Sequence, residues 1–87
     1  MFIALKHCKL NKVVHADIKP DNVLVSADTK KIKLCDFGTA FPESEASLVE
    51  YLVSRYYRAP EIIIGYPYGC EIDIWSVACT LYELWSG

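Results

Sequence analysis

The sequence predicts an α+β fold built from short strands and two longer helices. Short apolar runs bounded by turn residues predict strands at Val13–Val14, Val23–Val25 and Lys31–Cys35. Apolar residues at helical spacing predict helices over 2–10 and 71–85. The 87 residues suffice for one small domain. The apolar share of 53% exceeds the roughly 45–50% usual for soluble domains, which predicts surface that a partner or further chain covers.

The first half of the chain predicts a helix followed by a hairpin. Phe2, Leu5 and Cys8 lie three residues apart with lysines between them, which is typical of an amphipathic helix that ends near Asn11. Residues 26–30 read as a turn that joins two strands expected to be buried or half-buried. Gly38 ends the second of these strands, where a glycine permits backbone angles closed to other residues.

The second half predicts an irregular segment followed by a central helix. Residues 39–58 are mixed in character and predict a long functional or mobile segment. Pro60 can open a short helix over 61–64, and residues 65–69 read as a turn. The helix over 71–85 is apolar nearly all round, which favours a place at the centre of a domain larger than this chain.

Charge and cysteine content exclude several classes of function. A net charge of −2 does not favour nucleic-acid binding. No apolar run approaches the roughly 20 residues of a membrane span. The four cysteines are widely spaced without paired histidines, so we interpret them as reduced thiols of an intracellular protein rather than zinc ligands, with a disulfide as the alternative that stays open.

Polar residues crowd the loop between the first two strands. Transfer of a phosphoryl group to an alcohol needs a carboxylate to accept the hydroxyl proton, a cation near the moving group and oxygen ligands for magnesium. Asp17 can supply the carboxylate, Lys19 the cation and Asn22 a hard amide oxygen. The loop therefore indicates phosphoryl transfer.

Four motifs occur in a specific order along the chain. The stretch His15-Ala16-Asp17 with Asn22 five positions after the aspartate is similar to H-R-D-x-x-x-x-N, and it is followed by a D-F-G, an A-P-E and a D-x-W-S. The last three begin at Asp36, Ala59 and Asp73. With these motifs all 87 residues resemble the eukaryotic protein kinase family, and an unrelated fold carrying the strings by accident is the disfavoured alternative.

The resemblance implies a partial protein-kinase-like fold from the C-lobe, with ATP and Mg2+ as cofactors. It comprises the short β-hairpin with the catalytic loop, the activation segment and the central helix. In this interpretation Asp17 is the catalytic base and Lys19 contacts the phosphate. Asn22 and Asp36 hold magnesium and the nucleotide. Structural support is expected from four further residues: His15, Gly38, Glu61 and Asp73.

The segment before A-P-E carries the branch and regulation predictions. Lys19 together with Ser54 resembles serine/threonine kinases. The run from Tyr51 through Arg55 and Arg58 resembles the group that holds cyclin-dependent and dual-specificity tyrosine-regulated kinases, in which such arginines receive a phosphotyrosine. Guanidinium groups suit that contact. The alternative is an unmodified Tyr51 that packs on the segment.

Ala16 stands where most kinases have an arginine. The same alanine and the runs around it resemble kinases of pre-mRNA processing, so the substitution does not indicate an inactive enzyme. This resemblance implies a nuclear protein that phosphorylates protein substrates, with splicing factors among them. Direct binding to nucleic acid or membrane is not expected, and the oligomeric state stays open.

Residues 1–87 are expected to be a partial kinase domain that lacks the N-lobe and the late C-lobe. The sequence contains no glycine-rich G-x-G-x-x-G lid and no lysine strand before the loop. Two interpretations stay open: a segment of an active kinase, and a non-catalytic interaction piece or decoy. The isolated chain is expected to be inactive.

Overall fold

A computed structural model describes residues 1–48 and 52–87. Helices α1 to α3 span Phe2–Leu10, Pro60–Ile63 and Glu71–Ser86, and strands β1 to β4 span Val13–Val14, Val23–Val25, Ile32–Leu34 and Phe41–Pro42. Short 3-10 turns occur at Pro20–Asn22, Glu43–Leu48 and Arg55–Tyr57. The predicted helices and strands are therefore present, with ends that differ by one or two residues.

The strands form two antiparallel pairs. In the predicted hairpin, Val23 of β2 lies opposite Leu34 of β3, and the turn closes through the hydroxyl of Ser26, which donates to Asp28 at 2.5 Å. In the other pair, Val14 of β1 lies opposite Phe41 of β4. This second pair was not predicted, because two-residue strands leave no periodic signal and β4 falls within the segment interpreted as irregular.

The core lies around the loop that follows β1. One buried cluster joins that loop to β4, to residues 52–53 and to the start of α3; its members are Val14, Ala16, Phe41, Ala46, Leu52, Val53, Ala59, Cys70 and Ile72. A smaller cluster packs Ile18 between Leu5 of α1 and Val77 of α3. The loop is thus enclosed on both sides, which fixes its backbone.

The inward face of helix α3 mixes polar and apolar residues, since three polar side chains are buried beside Ile72 and Val77. Asp73, Ser76 and Thr80 are buried, and the hydroxyl of Ser76 donates to the carbonyl of Tyr57 at 2.7 Å. That of Thr80 donates to the carbonyl of Ser76 at 2.8 Å. The exposed face is apolar and comprises Ile74, Trp75, Leu81, Tyr82, Leu84 and Trp85. The prediction of a helix is confirmed, and its apolar residues mostly face outward.

Burial differs from the prediction in the hairpin. Leu24, Val25 and Ile32 are exposed, so the strands expected to be buried or half-buried lie largely at the surface. Cys35 and Cys79 are half-buried, and all four cysteines are free thiols, as predicted. Within the described residues, no helix combines the length and apolar character needed to span a membrane.

The exposed face of α3 predicts self-association of the 87-residue chain. Leu81 and Leu84 are 43% and 63% exposed beside two aromatic rings, and contiguous apolar surface of this kind drives association. We expect the double variant Leu81→Lys/Leu84→Lys to shift sedimentation velocity toward the monomer. The control Ser44→Lys/Ser47→Lys adds the same charge at exposed polar positions and should not. A monomeric parent chain with sharp, dispersed amide NMR signals would contradict the prediction.

Candidate active site

One buried carboxylate, that of Asp73, fixes the loop after β1 through hydrogen bonds. Asp73, in the first turn of α3, accepts the backbone N–H of His15 at 2.8 Å and that of Ala16 at 3.0 Å. Ala16 has φ of 66°, a left-handed conformation that costs a non-glycine residue energy, and it is buried. The two hydrogen bonds stabilise this bend, which turns the chain toward Asp17.

Burial raises the pKa of Asp73, and the two N–H donors only partly offset this effect. Burial makes the ionised carboxylate less stable, and its hydrogen bonds to the loop offset part of this desolvation cost. Removing either partner would therefore leave a buried polar group unsatisfied.

His15 connects the loop to the segment around Phe37. Its Nδ1 accepts the backbone N–H of Asp17 at 3.2 Å, so Nε2 carries the ring proton and donates to the carbonyl of Cys35 at 3.0 Å. The ring meets that of Phe37 edge to face, with 4.6 Å between centroids. The fully buried imidazole thus packs between two segments of the site, and both its nitrogens are engaged within the protein.

Asp17, Lys19 and Ser54 form one contact group. The Ser54 hydroxyl donates to Asp17 Oδ1 at 2.8 Å. Lys19 Nζ lies 3.2 Å from that hydroxyl and 3.3 Å from Asp17 Oδ2. A carboxylate, an ammonium and an alcohol therefore meet at one point. The sequence placed Ser54 in the activation segment but did not predict its contact with Asp17.

The environment of Asp17 favours the ionised carboxylate. Partial burial by itself would raise its pKa, but the hydrogen bond from Ser54, the Lys19 ammonium and the amide of Asn22 outweigh burial and lower the pKa below its ordinary value. Asp17 is consequently charged at neutral pH and able to accept a proton only from a group that is itself becoming acidic.

Asn22 and Asp36 lie at the open end of the hairpin. Asn22 Nδ2 donates to the Asp17 carbonyl at 2.7 Å and to Asp17 Oδ2 at 3.1 Å, which leaves Oδ1 as the atom that can bind a metal. The N–H of Cys35 pairs with the Asn22 carbonyl at 2.9 Å, so Asp36 follows directly beside Asn22. Asp36 is exposed.

Two hard oxygen donors fit magnesium that is shared with nucleotide phosphates. Within residues 1–48 and 52–87, no group of three or more histidine, cysteine, aspartate or glutamate side chains could hold a metal ion by itself. Asn22 and Asp36 would thus supply part of the coordination, and phosphate oxygens and water the rest. Oxygen donors of this kind fit the predicted Mg2+.

The left-handed residue of the D-F-G stretch is Asp36 rather than the glycine. Asp36 has φ of 58°, and its Oδ1 accepts the N–H of Gly38 at 3.2 Å. A Cβ at Gly38 would lie 3.1 Å from that oxygen. Glycine is therefore favoured at position 38 because it allows close approach to the Asp36 carboxylate. The unusual backbone angles predicted for Gly38 occur instead at Asp36, two residues earlier.

Arg58 stabilises the backbone next to Ser54. Its Nε donates to the carbonyl of Leu52 and its Nη2 to that of Val53, both at 3.0 Å. Val53 is β-branched with φ of 71°, a conformation that needs such support. Arg55 is exposed. Tyr51, the predicted phosphate acceptor, lies outside the described residues.

Two further residues near the site were not anticipated. Thr39 Oγ1 donates to the carbonyl of His15 at 3.3 Å. Glu43 accepts the N–H of Cys70 at the start of α3, at 2.9 Å. Glu61 is half-buried, and its backbone carbonyl accepts the N–H of Tyr66 at 2.8 Å. No motif signals Thr39 or Glu43, because both contacts depend on the pairing of β1 with β4.

Residues 1–87 match the protein kinase domain family, and the chain belongs to it. Over the whole chain it is 56% identical to serine/threonine-protein kinase prp4 of Schizosaccharomyces pombe and 53% identical to serine/threonine-protein kinase prpf4B of Dictyostelium discoideum. Human cyclin-dependent kinase-like 5 is 48% identical over 97% of the chain.

The chain spans 18%, 11% and 9% of the lengths of these three relatives. The family predicted from the four motifs is confirmed, and the prp4-type relatives agree with the predicted branch. The identity to the Schizosaccharomyces pombe protein also permits an exchange chimera, defined as that kinase with its aligned residues replaced by this chain. The exchanged residues of the chimera keep the numbers of this chain.

We expect Asp73→Asn to destabilise the exchange chimera by about 1–3 kcal/mol, the cost of an unsatisfied buried polar group. The asparagine oxygen can accept one of the two N–H groups, while its NH2 faces the other donor. Urea unfolding measures the change. The control Glu45→Gln alters an exposed carboxylate in the 3-10 turn after β4. Equal midpoints for parent and Asp73→Asn would contradict the geometry.

We expect Ser54→Ala to raise the pKa of Asp17, because the strongest of the contacts that lower it is lost. A carboxyl whose folded pKa is depressed contributes stability above its unfolded pKa and loses it as the pH falls through the folded pKa. Ser54→Ala should therefore unfold at higher pH on acidification, and the 13C titration of Asp17 should shift the same way. Ser54→Thr keeps the hydroxyl and serves as the control. Coincident unfolding and titration curves for Ser54→Ala and the parent would contradict an effect of the Ser54 hydroxyl on the pKa of Asp17.

Proposed function

We propose that residues 1–87 are the catalytic loop, activation segment and central helix of the C-lobe of an ATP-dependent protein serine/threonine kinase. The observation that carries the proposal is the contact of Asp17 Oδ1 with the Ser54 hydroxyl at 2.8 Å, with Lys19 Nζ 3.2 Å from that hydroxyl. The arrangement accepts a hydrogen bond from an alcohol beside a fixed positive charge, which is what phosphorylation of a hydroxyl requires.

Each residue has a defined task in this proposal. Asp17 orients the substrate hydroxyl and receives its proton as the bond to phosphorus forms. Lys19 balances the negative charge that develops on the transferred phosphoryl group. Asn22 and Asp36 would hold magnesium, which neutralises charge on the nucleotide phosphates when it is bound. Asp73 and His15 act beneath them by fixing the loop.

The proposed substrates are serine and threonine hydroxyls of proteins, with splicing factors among them and the nucleus as the site of action. This part rests on the relatives named prp4 and prpf4B and on the resemblance to pre-mRNA-processing kinases. Arg55 and Arg58 are proposed to receive a phosphate on Tyr51. Arg55 is exposed and suited to that contact, whereas Arg58 already donates to Leu52 and Val53.

A second candidate function is a non-catalytic interaction piece. The exposed apolar face of α3 favours it, because that face needs a covering partner. The two functions differ in a simple respect: an interaction piece needs neither an ionised Asp17 nor a metal-binding Asn22.

The exchange chimera tests the kinase function directly. We expect it to transfer phosphate from MgATP to a serine-containing protein substrate, and we expect Asp17→Asn to lower kcat by at least about 100-fold because the proton acceptor is lost. Asp21→Asn is the matched control, since Asp21 is an exposed carboxylate of the same loop. Steady-state 32P transfer provides the measurement.

An inactive chimera that is folded, or equal activity of Asp17→Asn and the parent, would overturn the proposal. Capture of partner proteins that survives Asp17→Asn but is lost with Leu81→Lys/Leu84→Lys would instead favour the interaction piece.

A further inference from the structure

Glu43 connects three elements around the site. Its Oε1 accepts the backbone N–H of Cys70, the residue that precedes α3, at 2.9 Å. The same oxygen lies 3.3 Å from Lys9 Nζ in the last turn of α1. The backbone N–H of Glu43 donates to the carbonyl of Lys12, just before β1, at 2.8 Å. One side chain therefore links the start of α3 to α1 and to the strand that enters the catalytic loop.

The linked end of α3 is the end that carries Asp73. The N–H of Asp73 donates to the carbonyl of Cys70 at 3.2 Å, and the Cys70 thiol lies 3.5 Å from the carbonyl of Val13. Cys70 is thus fixed to the entry of the loop from two directions. A shift at Cys70 would move Asp73 relative to His15 and Ala16, whose N–H groups it accepts.

The space beside the Glu43 carboxylate leaves no room for a side chain at position 69. A Cβ at Gly69 would lie 2.5 Å from Glu43 Oε1 and 3.3 Å from its Cδ, closer than to the flexible end of Glu71, whose Oε2 would lie 3.0 Å away. Gly69 does not have a left-handed φ, so the requirement at this position is space alone. An alanine there would displace the Glu43 carboxylate and leave the backbone free to keep its conformation.

The ion pair with Lys9 is the weaker half of the contact. The Lys9 side chain is 62% exposed, and exposed pairs of this kind contribute little. The N–H of Cys70 is the larger cause of the lowered pKa of Glu43, ahead of Lys9. The hydrogen bond to the start of α3 is therefore the contact that matters, and a neutral acceptor can replace the carboxylate in it.

We propose that Glu43 is a positioning residue of the kinase: it fixes the start of α3 so that Asp73 holds His15 and Ala16, and through them Asp17, in the reactive arrangement. The inference rests on the proposed kinase function. It assigns to the segment after D-F-G a role in catalysis that is separate from phosphate reading by Arg55 and Arg58.

The exchange chimera separates this role from general stability. We expect Glu43→Ala to lower kcat about tenfold, with KM for MgATP and for the protein substrate changed less than about twofold, because substrate contacts stay in place while the base is misplaced. Glu43→Gln should restore most of kcat, since its amide oxygen can accept the Cys70 N–H. Glu45→Ala is the matched control, an exposed glutamate of the same 3-10 turn.

Gly69→Ala disrupts the same hydrogen bond between Glu43 and Cys70, because the added methyl group displaces the Glu43 carboxylate. It should lower kcat about as much as Glu43→Ala, and the double variant should be no slower than either single variant, because both changes remove one interaction. Additive losses, or a kcat of Glu43→Ala within twofold of the parent, would overturn the inference. So would a loss of the same size in Glu45→Ala.

Hydrogen exchange distinguishes failure of this inference from failure of the proposed function. Exchange at the amides of His15 and Ala16, followed by mass spectrometry, needs no activity and is expected to become about tenfold faster in Glu43→Ala. Faster exchange in an inactive chimera would retain the positioning contact and reject the kinase function. Unchanged exchange in an active chimera would reject the positioning role alone.

Discussion

The site depends on the two hydrogen bonds that the backbone N–H groups of His15 and Ala16 donate to the carboxylate of Asp73. A buried carboxylate is costly, and burial raises the pKa of this one, so it persists because both oxygens accept N–H groups that would otherwise be buried without partners. In return it holds Ala16 in a left-handed bend. The bend directs Asp17 toward Lys19 and Ser54, so the chemistry of the loop follows from a contact made by α3.

This constraint also explains why α3 carries buried polar side chains. Asp73 and Ser76 lie on the side that faces the loop and residues 55–57, where they bind backbone groups, and the buried Ile72 and Val77 exclude water beside them. The larger apolar residues after Val77, together with Ile74 and Trp75, lie on the opposite, exposed side. A helix with this distribution supports irregular segments on one side and offers the other for packing, which agrees with the place of the chain within a protein kinase domain.

Sequence reasoning succeeded where a signal is local or a motif is specific. The hairpin of β2 and β3, the helices and the grouping of Asp17, Lys19 and Asn22 all follow from short stretches of the chain. The pairing of β1 with β4 and the contact of Glu43 with Cys70 join residues 27 to 29 positions apart through strands too short to show a period. The inward face of α3 could not be predicted because hydrophobicity alone points its apolar residues to the core.

Direct detection of the Asp73 hydrogen bonds is the most informative measurement. In the isotope-labelled exchange chimera, NMR scalar coupling across a hydrogen bond can join the amide nitrogens of His15 and Ala16 to the carboxyl carbon of Asp73. We expect both couplings in the parent and their retention in Ser54→Ala, which alters the contact with Asp17 but not the hydrogen bonds to Asp73. Absence of both couplings, with the two amides exchanging as fast as exposed loop residues, would contradict this expectation.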